Sequence, residues 1–194
     1  MRYPDKDILN FIAEAGLLKR LRRSGWSVMG VKDAETVAEH SFRCAVIAYL
    51  LARMEGVSPY KVLLMALFND IQEARITDLH KMAQRYIEAH AAEDKSFNEQ
   101  ISSLPKNIKK ELKDMYREYK AQQSKESIIA RDADILECLI QAKEYYEYGY
   151  PEATKFMKKA PRFLKTKSAR SVWRQGKNMS LNEWWFELSD FKRL

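Results

Sequence analysis

Residues 36–54 read TVAEHSFRCAVIAYLLARM. Val37, His40, Ser41, Cys44, Ile47, Ala48 and Leu51 recur at helical spacing, so a helix gathers them into one stripe that asks to be buried. His40 lies at the N-terminal end of that apolar surface. An imidazole there is either a hydrogen-bonded core residue or a ligand facing a cleft. The same period runs through residues 5–22, with Ile8, Leu9, Phe11, Ile12, Ala15, Leu18 and Leu21, and Gly25 and Gly30 punctuate the loop that follows. A convincing alternating strand pattern is nowhere found, and the spacing predicts an all-α fold.

Helix starts are marked along the rest of the chain. Ser58-Pro59 opens a helix predicted to run through FNDIQEAR, Leu104-Pro105 and Ser124 open two more, and Ser180 with Glu183 predicts a capping box ahead of WWFELSDF. With 194 residues, no repeat and no long linker, one domain over residues 1–194 is expected. It is a multi-helix bundle with its motifs within about 8–150 and the helices of 151–194 packed on it. Usage of 46% hydrophobic and 31% charged residues with six glycines excludes a disordered or turn-rich β chain.

Cys44 and Cys138 have neither metal-like nor framework spacing and read as reduced core residues. No stretch approaches the ~18 apolar residues of a membrane span, so a cytoplasmic chain without a membrane partner is expected. The net charge of +7 and pI near 9.3 fit polyanions, either nucleic acid or small phosphorylated ligands, or simply a solvated helix face. The basic stretch 155–177 is the feature that hints at nucleic acid, and a lysine-rich helix end explains it as well.

Chemistry concentrates in residues 66–79, ALFNDIQEARITDL. On one helix, Asp70 and Glu73 stack one above the other with Asn69 beside them, flanked by Phe68, Ile71 and Ala74. Carboxylates so desolvated need a cation or donors. His40 and Asp134 are the polar residues on other apolar helices that would complete a site. In 124–149 the stripe reads Ile128, Arg131, Ile135, Cys138, Leu139 and Ala142, with Asp134 beside it. Imidazole, carboxylates and an amide oxygen suit one divalent ion such as Mn, Co, Fe or Mg better than structural zinc. The alternative is a core histidine and an Asp134 that merely pairs with Arg131.

Glu39-His40, then Asp70, Glu73 and Asp78, then Ala133-Asp134 together resemble the HD-domain metal-dependent phosphohydrolases. ETVAEHSFRCAVIA, ALFNDIQEARITDL and ARDADILECLIQAKEY look most like the 5'-deoxynucleotidases, over about residues 8–150. The resemblance implies an HD-domain bundle with one divalent cation held by His40, position 69 with Asp70, and Asp134. Asn69 stands where the family has its second histidine, and asparagine is the poorer ligand to most of these metals. Glu73 matches the general acid/base and Asp78 a second acidic residue, with an N-cap of a helix beginning at Leu79 as its other reading.

In LKRLRRSGWSVMG, Trp26 matches an aromatic that packs on the nucleoside, and Arg23, or else Arg22, is the phosphate binder. The bacterial enzymes have arginine directly before the tryptophan where this chain has Gly25. Glu118 matches a further acidic pocket residue. The implied substrate is a nucleoside 5'-monophosphate, of the deoxy type, and a homodimer is expected. His80, His90, Tyr145-Tyr146 and Trp184-Trp185 are assigned to helix packing or a subunit contact. Two alternatives stand beside this reading: a non-catalytic nucleotide-binding relative, and a basic helical nucleic-acid-binding protein whose acid cluster is structural.

Overall fold

The computed structural model describes residues 5–188. Its helices are α1 (Asp5–Leu17), α2 (Ser24–Val28), α3 (Val37–Met54), α4 (Pro59–Phe68), α5 (Glu73–Ile76), α6 (Ala89–Gln100), α7 (Lys106–Ala121), α8 (Lys125–Glu147), α9 (Thr154–Lys159), α10 (Lys167–Gly176) and α11 (Glu183–Leu188). Short 3-10 turns join several of them. No strand occurs among the described residues, only an isolated bridge between Arg22 and Thr36. The fold is all-α, as the periodicity predicts. None of these helices is long and apolar enough to cross a membrane.

The stripe of residues 37–51 is buried throughout, because α3 lies against both α4 and α8. A capping box fixes its start: Thr36 Oγ1 accepts the Glu39 N–H at 3.2 Å, and the Glu39 carboxylate accepts the Thr36 N–H at 2.6 Å. Its end is set by Gly56 at φ 69°, where the Val57 N–H reaches Ala52 O and the Gly56 N–H reaches Arg53 O. The same left-handed stop recurs at Gly149, φ 94°, after α8. Two stops of this kind turn the chain sharply enough to bring successive long helices side by side.

Helix α8 touches α3, α4, α7, α9 and α10. Its covered surface is wider than one stripe. Leu139 and Ala142 are buried as expected, but Ile128, Arg131, Ile135 and Cys138 are only half-buried. Also buried, off that stripe, are Ile129, Ala130, Ala133 and Leu136, together with Asp132, Asp134 and Glu137. A helix packed on several sides buries polar residues as well as apolar ones, provided each polar group finds a partner.

Three further expectations change. The helix opened by Pro59 stops at Phe68 and does not run through FNDIQEAR. Ser58 occupies its N-cap position without a side-chain hydrogen bond. Ser180 accepts the Asn182 N–H through Oγ at 3.3 Å, not the Glu183 N–H of a capping box, and WWFELSDF is helical to Leu188 with its remainder outside the described residues. The expected domain limits of 1 and 194 also lie outside them.

The C-terminal region docks on a buried charge. Asp132 is fully enclosed on α8 and accepts the Lys165 N–H at 2.9 Å, the Thr166 N–H at 2.6 Å and the Thr166 hydroxyl at 2.7 Å. Thr166 in turn caps α10 through Ala169 N–H, and Glu55 after α3 accepts the Ser168 N–H at 3.0 Å. Asp132→Ala should lower the unfolding free energy by about 3 kcal/mol, since it orphans donors that bonded to a charge. Denaturant melts with amide exchange across 165–176 check this, and unchanged protection of α10 would refute the anchoring role.

Candidate metal centre

The carboxylates of 66–79 are arranged by a change of helical pitch. Past Phe68 the bonds shorten to three-residue steps: Ile71 N–H to Phe68 O, Glu73 N–H to Asp70 O, Ala74 N–H to Ile71 O and Arg75 N–H to Gln72 O. Three residues per turn makes positions i and i+3 eclipse, so Asp70 and Glu73 stack through a tightened turn, not along one continuous α-helix. The segment then closes at Thr77, a β-branched residue at φ 64°, ψ 168°.

That turn delivers Asp78 to the loop before α3. Its Oδ2 accepts the Ser24 N–H at 2.5 Å and the Ser24 hydroxyl at 2.9 Å. Residues 77–80 are irregular, so Asp78 does not cap a helix beginning at Leu79; it serves the N-terminal end of α2, across the site. Arg23, next to Ser24, is thereby held over the acids, with Nη1 3.2 Å from Asp70 Oδ2 and 4.0 Å from Asp78 Oδ1.

His40 is 1% exposed, and three elements meet on it. Its Nδ1 lies 2.5 Å from Glu137 Oε2, and its Nε2 lies 3.2 Å from Asp134 Oδ1 and 3.5 Å from Asp70 Oδ2. Although buried and close to two carboxylates, Nε2 makes no hydrogen bond of acceptable geometry among the described residues. Asp134 uses its other oxygen for Arg131 at 2.7 Å, so the blander reading of that residue is true of one oxygen while the other faces His40. Asn69 donates through Nδ2 to Asp70 Oδ1 at 2.8 Å, and its nitrogen is committed to that carboxylate.

Glu137 carries no sequence-level assignment, although it lies one turn from Asp134 and is wholly buried. One oxygen meets His40 and the other accepts from Arg43 Nε at 2.9 Å. Arg43 also bonds Glu144 at 2.7 Å. The available signal was a glutamate three residues after Asp134 and an arginine three after His40, on facing helices.

Electrostatics follow from this crowding. Burial opposes the imidazolium of His40 and so does Arg23, yet Glu137 and Asp134 carry its pKa up to about 10. Burial raises the pKa of Asp70 and, with Asp70 beside it, holds Glu73 well above the carboxylate range. Burial acts in the same sense on Asp134, but His40 and Arg131 outweigh it and keep that group low. Glu35 is pushed up to about 7 by burial and by Glu137.

The remaining predicted residues separate into two groups. Trp26 is 3% exposed, donates its indole N–H to Glu35 at 2.8 Å, and packs against Tyr145 and Phe156 at ring distances of 5.2 and 5.1 Å. It forms a wall behind Arg23, not an open face. Arg22 turns outward to Ala34 O and Asp33. Glu118 pairs with Lys61 at 2.9 Å on the seam of α4 and α7 and is not brought into the His40 cluster. His80 accepts the Ala83 N–H, Tyr145 accepts the Glu35 N–H, and His90 is exposed beside Glu93, all in line with structural roles.

Whether this donor set fits a divalent ion can be judged from the orphaned nitrogen. Glu137 holds the Nδ1 end of the ring, so a cation that displaced the proton from Nε2 would meet a lone pair directed at Asp70 and Asp134. One nitrogen and two carboxylates form an oxygen-rich set whose chemistry fits a divalent cation. His40, Glu137 and Cys138 also offer ligand atoms within 4.8 Å of one another. Both oxygens of Glu137 are already engaged by His40 and Arg43, and Cys138 Sγ lies 3.6 Å from Arg23.

The polar centre of this helical bundle thus brings together a histidine and two aspartates from three elements. Residues 15–173 match the HD domain, and the chain belongs to that metal-dependent family. It is 30% identical over 141 residues to the 5'-deoxynucleotidase HDDC2 of Bos taurus, covering 72% of this chain and 68% of that one. The Xenopus laevis counterpart is 31% identical over 143 residues, 73% of this chain and 71% of the other. Among solved structures, the PH0347 protein from Pyrococcus horikoshii superposes with a TM-score of 0.75 at 30% identity, over 88% of this chain and 98% of that one.

Thr77 provides a test of the local geometry. A β-branched residue held at that backbone conformation costs roughly 1–3 kcal/mol, whereas glycine adopts it freely at about 0.5–1 kcal/mol of chain entropy. Thr77→Gly should therefore stabilise the protein by about 1 kcal/mol in urea melts, and a lower midpoint would contradict the strained turn.

Proposed function

We propose that the chain is a divalent-metal-dependent phosphohydrolase that releases phosphate from nucleoside 5'-monophosphates, the deoxy forms preferred, in the cytoplasm. The observation that carries this reading is the buried His40 Nε2, which faces the Asp70 and Asp134 carboxylates at 3.5 and 3.2 Å without a hydrogen bond of acceptable geometry among the described residues. The likeness to relatives named 5'-deoxynucleotidase supports the substrate class. Two free thiols, Cys44 and Cys138, suit a reducing compartment.

His40, Asp70 and Asp134 would hold the cation, with Asn69 adding its amide oxygen as the weak member. When bound, Mn, Co, Fe or Mg supplies Lewis acidity toward a phosphoryl oxygen and neutralises charge there. The chain's own groups do the rest. Arg23, fixed by Asp70 and by the Ser24–Asp78 contact, presents a guanidinium for the phosphate. Glu73, kept protonated by burial beside Asp70, gives its proton to the ribose 5' oxygen as the P–O bond breaks, and its carboxylate takes up a proton from the water whose oxygen bonds to phosphorus. Trp26 and Glu35 back the loop that carries Arg23 and keep water from that side.

Asn69 also supports a second reading, a nucleotide binder that turns over slowly or not at all, because its nitrogen is spent on Asp70 and an amide oxygen is a poorer ligand than imidazole. Asn69→His should raise phosphate release from deoxynucleoside monophosphates at saturating Mn or Co by at least about tenfold. Equal rates would mean that asparagine suffices, and no release by either form would favour the binder. In the same preparations Asp134→Ala should strip the single bound metal, and undiminished metal content would remove Asp134 from the ligand set.

We also infer a homodimer. Phe42, Val46 and Leu50 stand exposed along one outer line of α3, with Phe42 at 69%. Sedimentation should give twice the chain mass of 22.8 kDa, and Phe42→Glu should shift it to the monomer. A wild-type protein sedimenting as the monomer would refute the assembly.

A further inference from the structure

The basicity of the chain is not spread over its surface. Residues 153–182 hold nine of the 34 lysines and arginines and none of the 27 acids, so this segment carries +9 and the rest of the chain sums to −2. All nine cations are exposed. Among the described residues only Lys155 has a carboxylate within ion-pair distance, that of Glu152. A protein that leaves so many like charges uncompensated side by side bears their mutual repulsion, and an anionic ligand relieves it.

Four of these cations converge. Lys158 from α9, Arg170 and Arg174 from α10 and Lys177 just after it line a cleft of about 460 Å³, together with Met157 and Trp173. Arg170 is anchored through Nε on Leu164 O at 2.8 Å, and Trp173 is 7% exposed, so this part of the lining is fixed by packing. None of the lining residues belongs to the His40 cluster. A cleft of this size falls in the range of roughly 300–1,000 Å³ typical of small-ligand sites. A polymer would use an open basic track; four cations around one partly apolar concavity match a compact molecule with several negative charges at one end and a flat apolar body at the other.

We propose that the cleft between α9 and α10 is a second ligand site, separate from the metal centre, that takes a nucleoside triphosphate. The phosphates lie against Lys158, Arg170, Arg174 and Lys177, and the base lies over Met157 and the exposed edge of Trp173. Arginine and lysine differ in use here: the two guanidinium groups engage paired phosphate oxygens, and the lysines supply mobile point charges.

Calorimetric titration of the whole protein with ATP, in the presence of a chelator that disables the metal centre, tests the site. One ATP per chain is expected, with the same affinity in Asp134→Ala. The Arg174→Glu, Lys177→Glu double variant, whose replaced side chains make no described hydrogen bond, should bind at least tenfold more weakly while melting at the wild-type temperature. Adenosine should not bind, and tripolyphosphate should bind several-fold more weakly than ATP. Equal affinity for tripolyphosphate, or loss of ATP binding in Asp134→Ala with retention in the double variant, would overturn the assignment. So would binding of a single-stranded oligonucleotide or of phosphatidylserine vesicles through Arg174 and Lys177 without binding of ATP.

Discussion

The imidazole of His40 is the point on which the bundle closes. It is enclosed at the join of α3, α8 and the tight turn after α4, and it meets carboxylates on both edges of the ring: Glu137 at Nδ1, Asp134 and Asp70 at Nε2. Burying several charges costs far more than burying the same area of hydrocarbon unless each is compensated. Here compensation is distributed. Arg43 answers Glu137, Arg131 answers Asp134, and Arg23 answers Asp70, so each acid has a cation that reaches it from the periphery. The helices cannot slide past one another without breaking several of these pairs together.

Much of this was legible in the sequence where one strong periodicity met one odd residue. The α3 stripe and His40 within it were readable because a single histidine interrupts an apolar face, and the acids after Phe68 because they sit at short spacing behind an apolar run. The α8 stripe was read less well. That helix is covered on several sides, and a periodic pattern resolves one buried face, not three. Asp132 and Glu137 look like ordinary solvent-facing acids in a charged helix. Only the arrival of Lys165 and Thr166 at the first, and of His40 and Arg43 at the second, makes them buried.

Local rules also failed where a distant segment supplied the partner. Ser58 and Ser180 carry the residue type of a cap without forming the expected bond, while Asp78 caps a helix far away in sequence. The resemblance assigns Trp26 to the nucleoside, yet its ring is enclosed by Tyr145 and Phe156, residues that no local pattern links to it. Arg23 is the counterexample: it was singled out within a cluster of cations and does lie over Asp70, because Ser24 and Asp78 fix the loop beside it.

Helix α8 unites the fold with its polar centre. Within two turns it carries Asp132, Asp134 and Glu137, all buried and each directed at a different group: the C-terminal segment, the Nε2 edge of His40 and the Nδ1 edge of the same ring. A helix holds side chains two, three and five residues apart at fixed angles to one another, so seating any one of them sets the rotation of the other two. Docking of residues 164–168 on Asp132 therefore helps to aim Asp134, although the two contacts lie on different sides of the helix. Asp132 and Glu137 have protein donors for their oxygens, whereas Asp134 spends one oxygen on Arg131 and leaves the other 3.2 Å from His40 Nε2 without a hydrogen bond of good geometry. In a cluster otherwise paired, His40 Nε2 and Glu73 Oε2 are buried without a hydrogen bond of acceptable geometry among the described residues, and the proposed cation would complete the first of them.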